Sequence, residues 1–488
     1  MATIDTAQGS DAEKTFFGQP RMLLNLFSVE MWERFSFYGM QGILLFYMYF
    51  SAANGGLGID QTTATGLIGA YGGGVYLATI LGGWLADRVL GAERTLFYSA
   101  LIIMLGHISL AVLHGVVGLA VGLVLIALGS GGVKANVTAM IGQLYAEGDE
   151  RRDAGFSIFY MGINTGALIG PLVTGLLQQE WGFHAGFAAA SVGMAIGLTQ
   201  YALTRKNLPA STSVPANPLP RGQLMRYAGP ALGAVILLVL AVWTGLLNAT
   251  DLPTVMAVAA AAAAVALFAV LLRSEKVSAI ERSRVLSFIP LFIASAAFWA
   301  LYQQQFTVVT LYAEQSLNRD IFGWTMPASF VLSINPVFIV IFAGVFAGLW
   351  TRLGSRQPSS PMKMALGLVV MGLAFLAFLP FVGDALHGTP LVALVGILLL
   401  FTFAELLMSP IGLSLSTKLA PIAFRSQMVA LLFLSVSIGT TLSGVLAGYY
   451  TQGNQVPYFS IIGVTAIILG LMLILCVPTL KRTMRGVR

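Results

Sequence analysis

Charged side chains inside a long apolar stretch are the first feature of this sequence that suggests chemistry. Residues 23–50 have the length and apolarity of a membrane-spanning helix, yet they include Glu30, Glu33 and Arg34. At 100° per residue, these three share one helical face with Tyr38 and Gln41, an arc of about 140°. Because ionisable groups in hydrocarbon are costly and usually face a bundle interior or aqueous cavity, this face is expected to line a substrate or ion route.

Two more ionisable residues, Lys134 and Glu405, lie in the middle of other apolar stretches. Arg34 and Lys134 would form a cationic pole in the N-terminal half, and Glu405 an anionic pole in the C-terminal half. A zwitterion with separated charges would fit between them. The alternative is a buried salt-bridge network that only orders the helices. The transport route is favoured, because a buried ion pair is weak evidence for stability.

Uncharged polar residues in the same apolar stretches would complete such a site. Asn164 stands one helical turn from Tyr160, Asn335 precedes Pro336, and Ser409 lies one turn from Glu405. A single Asn or Ser in a membrane helix more often holds two helices together. Both interpretations of these residues stay open from the sequence alone.

Other kinds of chemistry find no support in the sequence. The four histidines and the single cysteine, Cys476, show no metal-ligand spacing, and no Ser/His/Asp set is evident. The glycine-rich segment that ends at Lys134 resembles a phosphate-binding loop, but it lies within a spanning segment rather than after a strand. An enzyme is therefore not expected.

The composition is that of a polytopic membrane protein, with 57% hydrophobic and 9% charged residues among 488. We predict an all-α fold with fourteen spanning helices, at residues 23–50, 64–87, 95–113, 117–144, 154–178, 186–204, 224–247, 252–272, 285–311, 325–350, 362–382, 390–415, 424–449 and 458–478.

The positions of the basic residues test this count and set the orientation. With the N-terminus inside, all but three of the 26 Lys and Arg residues fall in cytoplasmic segments, as the positive-inside rule requires. The exceptions are Arg319 in an outer loop and Arg34 and Lys134 within helices. Both termini are therefore predicted to be cytoplasmic. The net charge of +6 reflects this membrane topology, and no nucleic acid partner is expected.

A degenerate repeat divides the chain into two halves. The order Arg, Gly, Arg occurs at Arg88, Gly91 and Arg94, and again in residues 352–356. This places six helices in residues 1–204 and six in 283–488, the arrangement of major facilitator transporters. Residues 205–282 are then a linker with two extra helices, which are expected at the periphery.

Four stretches together resemble the proton-dependent oligopeptide transporters of the major facilitator superfamily. Residues 30–39 (EMWERFSFYG) resemble the motif ExxERFxYYG, and residues 86–91 (ADRVLG) the loop ADRxxG. Residues 159–166 (FYMGINTG) resemble FYxxINxG, and residues 405–414 (ELLMSPIGLS) resemble ELxxSPxGLS. The resemblance implies a bacterial inner-membrane symporter of di- and tripeptides and protons. It implies no cofactor beyond the proton gradient and no obligate protein partner.

The resemblance also implies roles for individual residues. Glu30 and Glu33, with Arg34 and Lys134, would couple proton movement to transport, and Glu30 would be able to pair with Lys134. In the substrate-binding set, Arg34 and Lys134 would hold the carboxylate of the peptide. Its amino group would be held by Glu405, Asn164 and Asn335. Further contacts would come from Tyr38, Tyr76, Gln303 and Ser409.

Three positions depart from the family pattern. Phe37 replaces a tyrosine, Gln303 stands where many members carry a glutamate, and Leu432 where many carry a tryptophan. A carrier of another solute, such as nitrate, an amino acid or a peptide-like drug, is the alternative. Retention of Glu30, Glu33 and Arg34 favours peptides.

Overall fold

The computed structural model describes residues 16–145, 149, 151–220, 244–383 and 388–487, with isolated positions between 222 and 241. Within this part of the chain, twelve helices are long and apolar enough to cross a membrane. Helix α1, Met22–Tyr49, is a further helix of 28 residues, whose charged and polar residues reduce its hydropathy. At 1.5 Å per residue it also exceeds the thickness of a hydrocarbon core.

The remaining helices follow the predicted spans closely, and the predicted all-α membrane fold is confirmed. In the N-terminal half, α1 packs against α5 and α6, while α4 packs against α2 and α3. In the C-terminal half, α11 packs against α12 and α14. The bounds are α2 Gln61–Leu85, α3 Ala92–Val112, α4 Gly115–Gly142, α5 Arg151–Trp181, α6 Phe183–Thr204, α7 Leu252–Arg273, α8 Ala279–Tyr302, α9 Val308–Gln315, α10 Ile334–Leu353, α11 Ser360–Leu376, α12 Leu391–Lys418, α13 Arg425–Ala447 and α14 Gln455–Thr483.

Two of the predicted spans are interrupted. The span predicted at 285–311 consists of three pieces in the structure, which are α8, a 3₁₀ turn at Gln303–Phe306 and the short α9. The span predicted at 325–350 begins with a 3₁₀ segment, Ala328–Ser333, before α10. Pro336 occupies the first turn of α10, where its missing N–H is tolerated. Hydropathy predicts that a segment is buried in the membrane, but it does not distinguish these hydrogen-bond patterns.

The extra segment between the halves is described in part. Helix α7 packs against α2 and α13, and only four of its 22 residues are buried. The predicted span 224–247 lies largely outside the described residues. A two-residue hairpin turn, Phe322 and Gly323, both with positive φ, joins the strands Asp320–Ile321 and Trp324–Thr325. The sequence analysis did not predict this hairpin.

The two halves are joined at the end of the molecule where α1 ends and α2 begins, which we call the joined end. Tyr49 Oη donates to Glu314 Oε2 at 2.9 Å, and Gln61 Nε2 donates to the Tyr450 carbonyl at 2.8 Å. Deeper in the bundle, the backbones of α2 and α13 meet at Gly69, where an added Cβ would lie 2.7 Å from a Gly444 Cα. Small residues therefore allow the halves to pack closely.

Substitution of Gly69 tests this contact. In Gly69→Ala, the new methyl group would collide with the backbone of α13, so the joined end should separate. Spin labels at exposed positions 51 and 453, in a Cys476→Ala background, should then lie a few ångströms further apart in double electron–electron resonance.

The matched control is Gly74→Ala on the same helix, where the added Cβ meets only the end of Met256 at 3.5 Å. That distance is ordinary van der Waals contact, so the label distance should not change. Equal distances in the two variants would contradict the close contact of α2 and α13.

Candidate binding site

The charged residues of α1 form a buried ion cluster. Arg34 Nε lies 3.0 Å from Glu30 Oε1, and Arg34 Nη2 lies 2.5 Å from Glu33 Oε2. All three residues are buried, with at most 4% of their surface exposed. Ser130 Oγ also donates a hydrogen bond to Glu33 Oε1 at 3.3 Å. The Nε and Nη2 hydrogens have no aligned acceptor among the described residues. The guanidinium is therefore held by charge more than by hydrogen bonds.

Lys134 of α4 lies beside this cluster and faces aromatic rings. Its Nζ is 4.5 Å from the ring centre of Tyr76 and 5.3 Å from that of Phe37. Such cation–π contacts partly compensate for lost hydration. Among the described residues, no carboxylate lies within 4.0 Å of Lys134 Nζ, so the predicted Glu30–Lys134 pair is not formed here. Glu30 pairs with Arg34 instead.

Glu405 of α12 is held by neutral hydrogen-bond donors. Tyr302 Oη donates to Glu405 Oε2 at 2.6 Å, and Asn335 Nδ2 donates to the same oxygen at 3.3 Å. Asn335 is oriented in turn by Thr402, whose Oγ1 accepts from Nδ2 at 3.1 Å. Glu405 forms no ion pair within the described part of the chain. Its negative charge is fixed in position but has no cationic partner.

The two poles line one polar cavity of about 90 Å³ between the halves. Lys134 contributes the positive charge and Glu405 the negative one. Tyr38, Tyr76 and Gln303, each predicted from sequence, also line it, and Gln41 of α1 and Gln305 after α8 add amide groups. The arrangement fits a small molecule with a positive and a negative end.

Four residues of the predicted substrate-binding set do not line this cavity. Asn335 is one of them, and it is linked to the site through its hydrogen bond to Glu405. Arg34 does not line this cavity, because its guanidinium is turned into the α1 ion cluster behind Phe37. Asn164 donates to the Tyr160 carbonyl of its own helix at 2.9 Å and is also outside the cavity lining. Ser409 lines a neighbouring cavity.

The neighbouring cavity measures about 200 Å³ and is largely apolar. It shares Tyr76 and Trp299 with the polar cavity, so the two adjoin. Ser409 lies on its wall with Leu432, the residue that replaces a tryptophan of the family pattern. A smaller side chain at position 432 is consistent with the predicted change in the shape of a side-chain pocket.

Tyr302 is the functional candidate that the sequence analysis missed. Its hydroxyl donates to Glu405 Oε2 at 2.6 Å and lies 3.3 Å from Asn335 Oδ1. Tyr302 precedes three consecutive glutamines, Gln303, Gln304 and Gln305. A run of polar residues inside an apolar span is the sequence feature that could have indicated a functional role for Tyr302.

Comparisons with known proteins place the chain in a family. Residues 93–466 match the POT family, which covers most of the sequence. The chain belongs to the POT family. The family predicted from the four motifs is thus confirmed, and the protein is a multi-pass membrane protein with the major facilitator fold of POT transporters.

Individual relatives cover nearly the whole chain. It is 41% identical to the uncharacterised transporter YclF of Bacillus subtilis, over 100% of both proteins. It is 39% identical to a di-/tripeptide transporter of Lactococcus lactis subsp. cremoris, over 98% of this chain and 99% of that one. The crystal structure of peptide transporter POT in complex with sulfate superposes with a TM-score of 0.93 and 43% identity, covering 97% of this chain and 98% of that chain. A mutant of peptide transporter POT in complex with alafosfalin gives a TM-score of 0.92 with the same identity and coverage.

The bond from Tyr302 to Glu405 can be tested by stability. Tyr302→Phe removes a donor to a carboxylate, so the free energy of unfolding should fall by about 2 kcal/mol, within the range for hydrogen bonds to charged groups. Thermal melting of the detergent-purified protein measures this change.

Tyr312→Phe is the matched control, because Tyr312 is fully buried in the same half and its hydroxyl contacts the neutral Thr389 Oγ1 at 2.6 Å. Loss of that neutral bond should cost about 1 kcal/mol. A smaller destabilisation by Tyr302→Phe than by Tyr312→Phe would contradict the assigned bond.

Proposed function

We propose that this POT protein is a proton-coupled symporter that imports di- and tripeptides across a bacterial cytoplasmic membrane by alternating access. The observation that carries the proposal is the shared cavity, which Lys134 and Glu405 line from opposite halves with opposite charges. The Lactococcus lactis relative is named a di-/tripeptide transporter, and a related POT structure holds the peptide-like alafosfalin. A peptide at neutral pH carries the complementary pair of charges.

Recognition in this proposal depends on the two ends of the peptide. Neither end can leave water without a charged partner, because burial of an unpaired ion is very costly. The amino group binds Glu405, whose orientation Tyr302 and Asn335 fix through hydrogen bonds. The carboxylate binds Lys134. A side chain extends into the adjoining apolar cavity along Leu432.

Proton coupling in this proposal uses the ion cluster of α1. In the state described here, Glu30 and Glu33 hold Arg34 away from the polar cavity. Protonation of either carboxylate removes one of the two attractions on the guanidinium. Arg34 is then free to turn toward the substrate carboxylate and join Lys134. A proton and a peptide thereby favour the same conformation.

The membrane orientation is part of the proposal. We assign the basic loops and both termini to the cytoplasm, which puts the joined end on the outer side. The proton gradient drives transport without any cofactor, and the chain works without an obligate protein partner. Its partners are small peptides, protons and the surrounding lipid.

Uptake by purified protein in liposomes tests the function. An inward proton gradient should drive accumulation of labelled alanyl-alanine, and a protonophore should abolish it. Unlabelled nitrate, 5-aminolevulinic acid, single amino acids and dipeptides then compete for uptake. 5-Aminolevulinic acid belongs in the panel because a POT transporter structure, 36% identical, is described in complex with it. Lack of alanyl-alanine uptake would contradict the peptide assignment, and inhibition of that uptake by another solute at a much lower concentration than by dipeptides would favour the alternative.

Substitution of Glu405 separates the two ends of the substrate. Glu405→Gln keeps the size of the side chain but removes its charge, so alanyl-alanine should bind at least tenfold more weakly. An analogue without the amino group, propionyl-alanine, gains nothing from the charge and should be affected much less. Isothermal titration of both ligands measures the difference.

Glu275→Gln is the control, since Glu275 is an exposed carboxylate outside the cavity. Its substitution should leave both affinities unchanged. Equal losses for the two ligands in Glu405→Gln would show that Glu405 does not bind the amino group.

A further inference from the structure

Gln41 is a buried polar residue to which the proposed mechanism gives no role. It lies on the polar face of α1, lines the polar cavity and is 3% exposed. Its side-chain oxygen, Oε1, has no hydrogen-bond partner among the described residues. Several other buried polar atoms in the described chain also lack a partner, but Gln41 alone among their residues lines this cavity.

The other amides of the cavity are already engaged. Gln303 interacts with the Tyr76 hydroxyl, and Gln305 with the Tyr302 hydroxyl. Asn335, which does not itself line the cavity, is bound to Glu405 and Thr402. A buried acceptor without a partner is unfavourable, and folded proteins rarely keep one without a reason. The Gln41 oxygen is therefore an acceptor that becomes satisfied when a donor enters the cavity.

The position of Gln41 restricts which donor this is. It lies one turn of α1 beyond Phe37, whose ring centre is 5.3 Å from Lys134 Nζ. Lys134 and Glu405 bind the two charged ends of the substrate in the proposed function, so Gln41, which lines the same cavity, is left to contact the uncharged part of the substrate. In a dipeptide, the group between the charged ends that carries a hydrogen-bond donor is the peptide N–H.

We propose that Gln41 is a specificity-determining residue that accepts a hydrogen bond from the peptide N–H of the substrate. The residue thereby selects a true peptide over a zwitterion of equal length without an N–H. This inference rests on the proposed function and deepens it. A site that hydrogen-bonds one substrate group rejects analogues without that group, because its own polar atom is then left unpaired.

Comparison of an amide with its ester tests the role. Alanyl-alanine and the depsipeptide alanyl-lactate have the same charged ends and length, but an ester oxygen replaces the N–H. The wild-type protein should bind the amide roughly tenfold more tightly, the effect of one hydrogen bond. In Gln41→Met, which keeps the side-chain length without the acceptor, the two affinities should become nearly equal. In Gln41→Glu, which keeps an acceptor, the preference for the amide should remain.

The matched control is Asn25→Leu. Asn25 is another buried amide of α1 whose polar atoms have no partner in the described chain, but it does not line the cavity. Its substitution should leave the ratio of the two affinities unchanged. Isothermal titration of detergent-purified protein, with size-exclusion chromatography as a check of folding, supplies all values.

The outcomes separate this inference from the proposed function. Equal affinities of the wild-type protein for the amide and the ester overturn the role of Gln41, even if Gln41→Met does not fold. A preference that survives in Gln41→Met also overturns it. If the wild-type protein binds neither compound, the peptide function itself fails.

Discussion

The structure depends on one constraint, that an ionised side chain in a membrane must have a partner. The N-terminal half meets it internally, because the two carboxylates of α1 accompany the two cations Arg34 and Lys134. The C-terminal half meets it differently. Glu405 has only neutral hydrogen-bond donors among the described residues, so its charge is oriented but not neutralised. In the proposed function, a cationic group of the substrate completes this half of the site.

The two irregular backbone segments lie next to the polar cavity and to Glu405. The 3₁₀ turn at Gln303–Phe306 interrupts the passage from α8 to α9 and places amide side chains at the cavity wall. The 3₁₀ segment before α10 leads directly to Asn335, which contacts Glu405. Non-helical backbone is tolerated at membrane depth when it lines a cavity or is buried in protein. The joined end, by contrast, is held by hydrogen bonds of Tyr49 and Gln61, and glycine contacts let the halves pack closely deeper in the bundle.

The departure at position 37 has a structural consequence beyond the loss of a hydroxyl. The Phe37 ring lies 5.5 Å from the Arg34 guanidinium carbon and 5.3 Å from Lys134 Nζ. One aromatic ring therefore contacts both of the cations that the sequence analysis grouped as a single pole. A ring without a hydroxyl stabilises both through its π-electrons but offers neither of them a hydrogen bond.

The sequence by itself determined the membrane-helix architecture, the family and the identity of the ionisable residues, because apolar length and motif letters are local properties of the chain. It did not determine which of them share a cavity. Arg34 and Tyr38 lie on the same arc of α1, yet Tyr38 faces the cavity and Arg34 faces its own carboxylates. Because both residues belong to one helix, the side-chain direction of Arg34, which pairs with Glu30 and Glu33, decides this. The bond from Tyr302 to Glu405 joins residues 103 positions apart, and only the packing of α8 against α12 brings them together.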